Sequence, residues 1–387
     1  MLAWSLANVA VRARESGLVY RLRVVEPTTI IVMEGDQTGQ ELLVEALRVL
    51  DPGVSGLPLT FEHYDLSLES RRRTGNQVVH DAAQAMRRAG FGLKAATITP
   101  EASGDVGSPN ALLREEIDGR VIIRTGRRLP GVRPIGGIHA PISVVRMAVD
   151  DAYGAVEHRE GTGLDEVAWR TEHISRRTCR AVAEFSFLQA RRMSATVYGG
   201  PKWTVSPVYE GMMKEELDFA SERHRDVRYR PVLIDAAYAG LITHTGDALV
   251  VPALNRDGDC LSDMVLQLFG SIAGAESLLL AFDDDLNPKT VMADAPHGTA
   301  PGLEGKSIAN PLAMILAGAA LLGFVGDPAA SMVSRGIYEA ALEAVADDIR
   351  TADLSGHSST EEFTAEVIKR LRTKLDVWSS LGDSAVI

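Results

Sequence analysis

The chain has 387 residues, 45% of them hydrophobic and 24% charged, which excludes a disordered chain and allows two or three domains with sizeable cores. Lys and Arg number 40 against 52 Asp and Glu, and the resulting charge of −12 argues against a general nucleic-acid or anionic-membrane surface. Two cysteines, Cys179 and Cys260, make no disulfide framework, so a reducing cytoplasmic compartment is the default.

The first 27 residues, MLAWSLANVAVRARESGLVYRLRVVEP, carry a short apolar patch with no basic residue ahead of it. That patch is too short to span a bilayer and unlike a secretory signal, so the segment reads as an extension. Strand and helix patterns then alternate. Thr28–Met33 reads as a strand, EGDQTGQ as a turn, Glu41–Leu50 as a helix, Leu57–Tyr64 as a strand, Gln77–Arg88 as a helix and Leu93–Thr99 as a strand. Such alternation implies an α/β fold with a mostly parallel, covered sheet. No G-x-G-x-x-G follows the first strand, so the usual dinucleotide fingerprint is missing.

Chemistry begins in TITPEASGDVGSPNALLREEIDGRVIIRTGRR. Ser108 and Asn110 stand at a helix start, where hydroxyl and amide groups cap the helix or bind an anion. Arg114 follows one turn on, and Arg124 lies within an apolar strand, where its charge requires an anionic partner. ISVVRMAVDDAYG repeats the pattern with Arg146 in a strand and Tyr153 seven residues later. The long helix Arg176–Arg192 leads to SATVYGGPKWTVSPVYEGMM, with Lys202 in a Gly-Gly-Pro turn and a helix over Val208–Phe219. YRPVLIDAAYAGLI reads as a strand ending at Asp235. Leu249–Leu254 is a buried strand, and a helix expected near Gly258 stacks Asp259 and Asp263 on one face. Carboxylates four apart repel by roughly 0.2–0.5 kcal/mol in water. A hard divalent cation would offset that repulsion, and so would the dipole of the helix start.

The ordered series KAATITPE, S-P-N-x-L-L-R, Arg146-x6-Tyr153, KWTVSPVYEG, LIDAA, DGDCLSD, PHGTAPGLEGKSIANP and TADLSGHSSTEEF resembles the isocitrate/isopropylmalate dehydrogenases from Thr28 to Leu371. The isocitrate branch is the nearer likeness. The resemblance implies a two-domain fold, with a large cofactor domain from 1–119 and 277–387 and a small domain over 120–276. It implies substrate carboxylates on Ser108, Asn110, Arg114, Arg124 and Arg146, and proton transfer by Tyr153 and Lys202. Asp235, Asp259 and Asp263 would hold Mg2+ or Mn2+. Thr97, Thr99, His297, Gly298, Thr299, Ala300 and Asn310 would line the cofactor. It also implies a homodimer whose sites are shared, with Lys202 and Asp235 entering from the second subunit.

The activity so implied is oxidative decarboxylation of isocitrate or a close hydroxytricarboxylate analogue, a phosphonate, isopropylmalate, homoisocitrate and tartrate being alternatives. Two departures bear on it. Trp203 follows Lys202, and Tyr198 could be aligned with the lysine instead; Tyr209 and Gly211 fall into place with Lys202. After HGTAP stand Gly302 and Leu303, which offer no cation to a 2′-phosphate, so NAD is expected and NADP is the alternative. A non-catalytic regulatory subunit would have lost Lys202, Tyr153 or an aspartate, and all are present. Asp257-Gly-Asp259 also fits the D-x-D of a metal-dependent glycosyltransferase, with nothing else in the chain to support it.

Overall fold

A computed structural model describes residues 27–102 and 104–381; the N-terminal extension read from the sequence lies outside them, apart from Pro27. Among the described residues twelve strands form: β1 Thr28–Glu34, β2 Leu59–Asp65, β3 Phe91–Lys94, β4 Gly119–Gly126, β5 Ile142–Met147, β6 Val156–Glu160, β7 Val167–Thr171, β8 Thr196–Tyr198, β9 Tyr229–Arg230, β10 Leu249–Ala253, β11 Ser277–Phe282 and β12 Pro288–Asp294. Ten of them make one sheet in the order β2-β1-β3-β12-β11-β4-β5-β10-β8-β9. Pairing is parallel from β2 to β12 and again from β5 to β9. The three antiparallel pairs lie between, at β12–β11, β11–β4 and β4–β5. The α/β fold with a mostly parallel sheet is therefore as the alternating pattern implied.

Both faces are covered, which is why the central strands read as unbroken apolar runs. Period-two alternation sends Val145 and Val250 to one face, against Phe185 of the Arg176–Met193 helix. Val144 and Val251 go to the other face, against Leu261 of the Asn255–Leu268 helix. The Leu312–Leu322 helix, LAMILAGAALL, is apolar all round and correspondingly buried between sheet and outer helices. No helix among the described residues is long and apolar enough to cross a membrane.

Three local expectations change. The stretch ending at Asp235 is not a strand: β9 stops after two residues, and Ile234–Ile242 is helical with Asp235 in its first turn. Pro231 cannot donate to a ladder, so the edge strand ends before it. The expected strand Leu93–Thr99 leaves the sheet after Lys94, because Ala96 O is turned to accept from Asp36 N at 2.9 Å and Ile98 N donates to Asp36 Oδ2 at 2.8 Å. The metal-motif helix begins at Asn255, a turn earlier than Gly258. Outside the main sheet, β6 and β7 pair into a separate antiparallel ribbon in which every residue is exposed.

Candidate active site

β4 and β5 deliver two arginines to one face of the sheet, and the Asn255–Leu268 helix lays its acidic side over them. Arg146 is 2% exposed. Its Nε and Nη2 donate to Asn255 Oδ1 at 3.0 and 2.8 Å, and its Nη1 donates to Asp259. Tyr153 O–H donates to the other oxygen of Asp259. Arg124 Nη1 donates to Asp263 Oδ1 at 2.9 Å and to Ser262 Oγ at 3.1 Å, and stands 4.0 Å from Asp259. The two carboxylates thus do share one helix face, and in this chain the cations that offset them are guanidinium groups.

Gly258 makes this approach feasible. A Cβ there would lie 2.7 Å from Arg146 Cγ and 3.2 Å from its Cα. The DGD spelling therefore reflects contact between a helix and a buried arginine as well as acidity. Asn255 and Ser262, which the sequence reading passed over, hold the cluster together. Asn255 is fully buried and donates to the Asp150 carbonyl at 3.0 Å. Ser262 hydroxyl donates to the Asp259 carbonyl at 2.9 Å while accepting from Arg124. A polar residue just after an apolar strand was the one sequence signal for Asn255; Ser262, in the middle of the helix, had none.

Ser108, Asn110, Arg114, Arg124, Arg146, Tyr153 and Asp259 line a cavity of about 370 Å3. Ser108 occupies the N-cap position of the Pro109–Glu116 helix but makes no capping hydrogen bond, which leaves its hydroxyl free for the cavity. Asn110 Oδ1 and Arg124 Nε are buried without a partner, so two polar atoms here await a ligand or water. Burial pulls Arg146 down to about 10 and lowers Arg114 as well, each against the upward pull of nearby carboxylates. Desolvation, reinforced by Asp259, keeps the Tyr153 hydroxyl protonated above its ordinary range. The cavity is cationic on one wall, carries a protonated phenol and suits a small polyanion.

Lys202 and Asp235 do not line this cavity. Their side chains pair with each other at 2.5 Å, and that contact holds the Asp235 carboxyl below its usual range. Tyr198 is instead a packing residue, 9% exposed, with the Arg230 guanidinium 5.5 Å from its ring centre. Among the described residues no three His, Cys, Asp or Glu side chains converge closely enough to hold a metal. Asp259 and Asp263 supply hard oxygen donors of the kind Mg2+ and Mn2+ take. Their partner in the expected triad, Asp235, lies elsewhere on the same chain.

The expected cofactor residues fall on the loop after β12 and on the loop after β3. His297 Nε2 is buried with no partner, and burial lowers its pKa, so it is a neutral ring with an unsatisfied nitrogen. Space is open around Gly298 and Gly302, where an added Cβ would meet nothing within 4 Å. Thr38 Oγ1 pins the loop through the Ala300 carbonyl at 2.9 Å. These features fit a bound nucleotide. Asn310 joins the TADLSGHSST stretch through Asp353 at 2.9 Å. Thr97 accepts from Lys94 at 3.2 Å, and burial brings that lysine down to about 8; Thr99 is exposed. One cation in the loop was missed: Lys306, whose ammonium donates to the Gly302 carbonyl at 2.7 Å.

The fold is that of decarboxylating hydroxyacid dehydrogenases. An isocitrate dehydrogenase from Methylococcus capsulatus has the same fold, with a TM-score of 0.77 at 22% identity over 89% of this chain and 99% of that one. A mitochondrial NAD isocitrate dehydrogenase catalytic subunit of Arabidopsis thaliana is 28% identical over 353 residues, 89% of each chain. A 3-isopropylmalate dehydrogenase of Methanothermobacter thermautotrophicus is also 28% identical, over 88% of this chain and 98% of its own. The isocitrate/isopropylmalate dehydrogenase pattern matches residues 29–367, and the chain belongs to that family of NAD(P)-dependent decarboxylating dehydrogenases.

Proposed function

We propose that this enzyme oxidatively decarboxylates isocitrate or a close analogue bearing a third anionic group, with NAD as its preferred cofactor and Mg2+ or Mn2+ as its metal. The observation that carries the reading is the convergence of Arg114, Arg124, Arg146 and Tyr153 on one cavity that also takes in the free Ser108 hydroxyl and the unpartnered Asn110 Oδ1. The arginines orient substrate carboxylates through charge-assisted bonds. Ser108, Asn110 and the exposed N–H groups of the Pro109–Glu116 helix receive the distal anionic group, a carboxylate or a phosphonate. Isopropylmalate, whose third group is alkyl, is disfavoured by those polar donors.

When bound, the divalent ion at Asp259 and Asp263 would acidify the substrate hydroxyl, and the nicotinamide would accept the hydride from the carbon that bears that hydroxyl. Lys202 takes the hydroxyl proton, and Tyr153 returns a proton to carbon after CO2 leaves. Tyr153, held protonated beside Asp259, is in the state that donation requires. Neutral His297 and the open Gly298 backbone face the nucleotide, and Lys306, turned onto the Gly302 carbonyl, is not committed to a 2′-phosphate.

The reading includes a homodimer in which Lys202 and Asp235 complete the cleft of the second subunit. It is supported by their position outside the cleft of their own chain and by the free β6–β7 ribbon. There Val156, Leu164 and Trp169 are 71%, 106% and 52% exposed. It also includes the division into 1–119 with 277–387 and 120–276, with β11 and β4 at the junction. Reduced-nicotinamide absorbance with isocitrate, its phosphonate analogue or isopropylmalate, with Mg2+ and either NAD or NADP, tests it. Turnover of isopropylmalate alone would refute the substrate assignment.

A further inference from the structure

β4 has two faces, and only one of them serves the substrate. Arg124 points into the cleft, while its neighbours Ile123 and Thr125 point the other way, into a second cavity of about 420 Å3. This is a size that small organic ligands occupy. Its walls come from both halves of the sheet: the Arg176–Met193 helix on one side, the Leu312–Leu322 and Pro328–Ala346 helices on the other. We propose that this cavity is an effector site for an organic anion with an apolar body, coupled to the substrate cleft through β4.

The chemistry of the lining selects that class. Ile123, Phe185 and Leu278 form an apolar floor, each at most 6% exposed. Two arginines border it, and they differ. Arg127 is already neutralised, donating to Glu276 at 2.5 and 2.6 Å and to the Gly274 carbonyl at 2.9 Å, with its guanidinium carbon 5.1 Å from the Tyr338 ring centre. Arg192 is exposed, lies 5.8 Å from the Phe324 ring centre and forms no ion pair with an Asp or Glu among the described residues. One uncommitted cation beside an apolar floor favours a carboxylate with a hydrocarbon portion over a bare inorganic anion, which would lose hydration without gaining the floor.

Coupling follows from the geometry. A ligand here is wedged between helices of the two sheet halves and rests on Ile123 and Thr125, the residues flanking Arg124. A shift of β4 therefore reaches the substrate arginine directly, and any coupling between the two sites must be reciprocal. The effector role rests on reading the Arg124 cleft as the hydroxyacid site. The cavity itself does not.

The test uses the whole chain and sodium octanoate as probe, followed by calorimetry without substrate. Saturable binding is expected, at least tenfold weaker in Arg192→Gln and in Ala320→Phe, which fills the cavity; either variant suffices if the other fails to fold. Octanol and inorganic phosphate should each bind more weakly than octanoate. In turnover, octanoate should change the hydroxyacid KM severalfold in the parent and not in the variants. No saturation, equal affinity in a folded variant, equal binding of phosphate, or simple competition with the hydroxyacid would overturn the site. Binding with the expected variant pattern but an unchanged KM would overturn the effector role. Should no hydroxyacid be turned over while octanoate binding follows the pattern, the substrate reading fails and the cavity stands.

Discussion

Arg146 is the residue whose removal best separates stability from function. Its guanidinium is 2% exposed, and burial outweighs the attraction of Asp259, bringing its pKa well below the ordinary arginine range, to about 10. At about 1.4 kcal/mol per pKa unit, that drop corresponds to about 3 kcal/mol of unfavourable burial. For a cation whose folded value lies below its unfolded one, the cost is present at every pH below about 10 and fades as pH rises above that toward the ordinary arginine range. Arg146→Met removes the cost but leaves Asn255 Oδ1 buried without its two donors, a loss of about 1–3 kcal/mol. Urea unfolding at neutral pH should therefore show a variant as stable as the parent, or up to about 2 kcal/mol more stable. Hydroxyacid turnover should disappear in the same variant. A control, Asn255→Ala, keeps the buried charge and deletes its acceptor, and should lose about 3 kcal/mol. If Arg146→Met loses more than about 2 kcal/mol, the arginine is a net stabilising element and the burial reasoning is wrong.

Ser108→Ala should leave the melting temperature unchanged, because no capping bond exists to lose, while raising KM for a tricarboxylate and not for malate; the reverse pattern would make Ser108 a cap. Asp263→Asn should weaken Mn2+ binding, measured by titration, and cut activity by orders of magnitude; an unaltered Mn2+ dependence removes the metal assignment. Lys202→Met should block oxidation of the hydroxyacid, whereas Tyr153→Phe should mainly slow the proton return and still reduce the ketoacid intermediate; a fully active Lys202→Met would show that the lysine is not the base. NAD should be preferred in kcat/KM, and a tenfold preference for NADP, about 1.4 kcal/mol, would show that Lys306 or another cation takes the 2′-phosphate.

Much of the architecture was legible because it rests on local patterns. Apolar runs bounded by turn residues mark β1, β4, β5 and β10, and the 3.6-residue rhythm marks the Gln77–Ala89 and Arg176–Met193 helices. The cleft was legible for a related reason: an arginine inside an apolar strand and two aspartates four apart are costly unless paired, so Arg124, Arg146, Asp259 and Asp263 announce one another. Other features depend on neighbours far along the chain. Period two in β4 assigns Ile123 and Arg124 to opposite faces, but only the packed helices of both halves turn the reverse face into a cavity. IDAAYAGLI satisfies strand and helix alike, and the early end of β9 at Pro231 decides for helix, moving Asp235 beside Lys202. The requirement for glycine at 258 is invisible until the helix meets Arg146, because a steric limit exists only where two surfaces touch. Composition and spacing determine which groups need partners; the tertiary fold decides which partners are within reach.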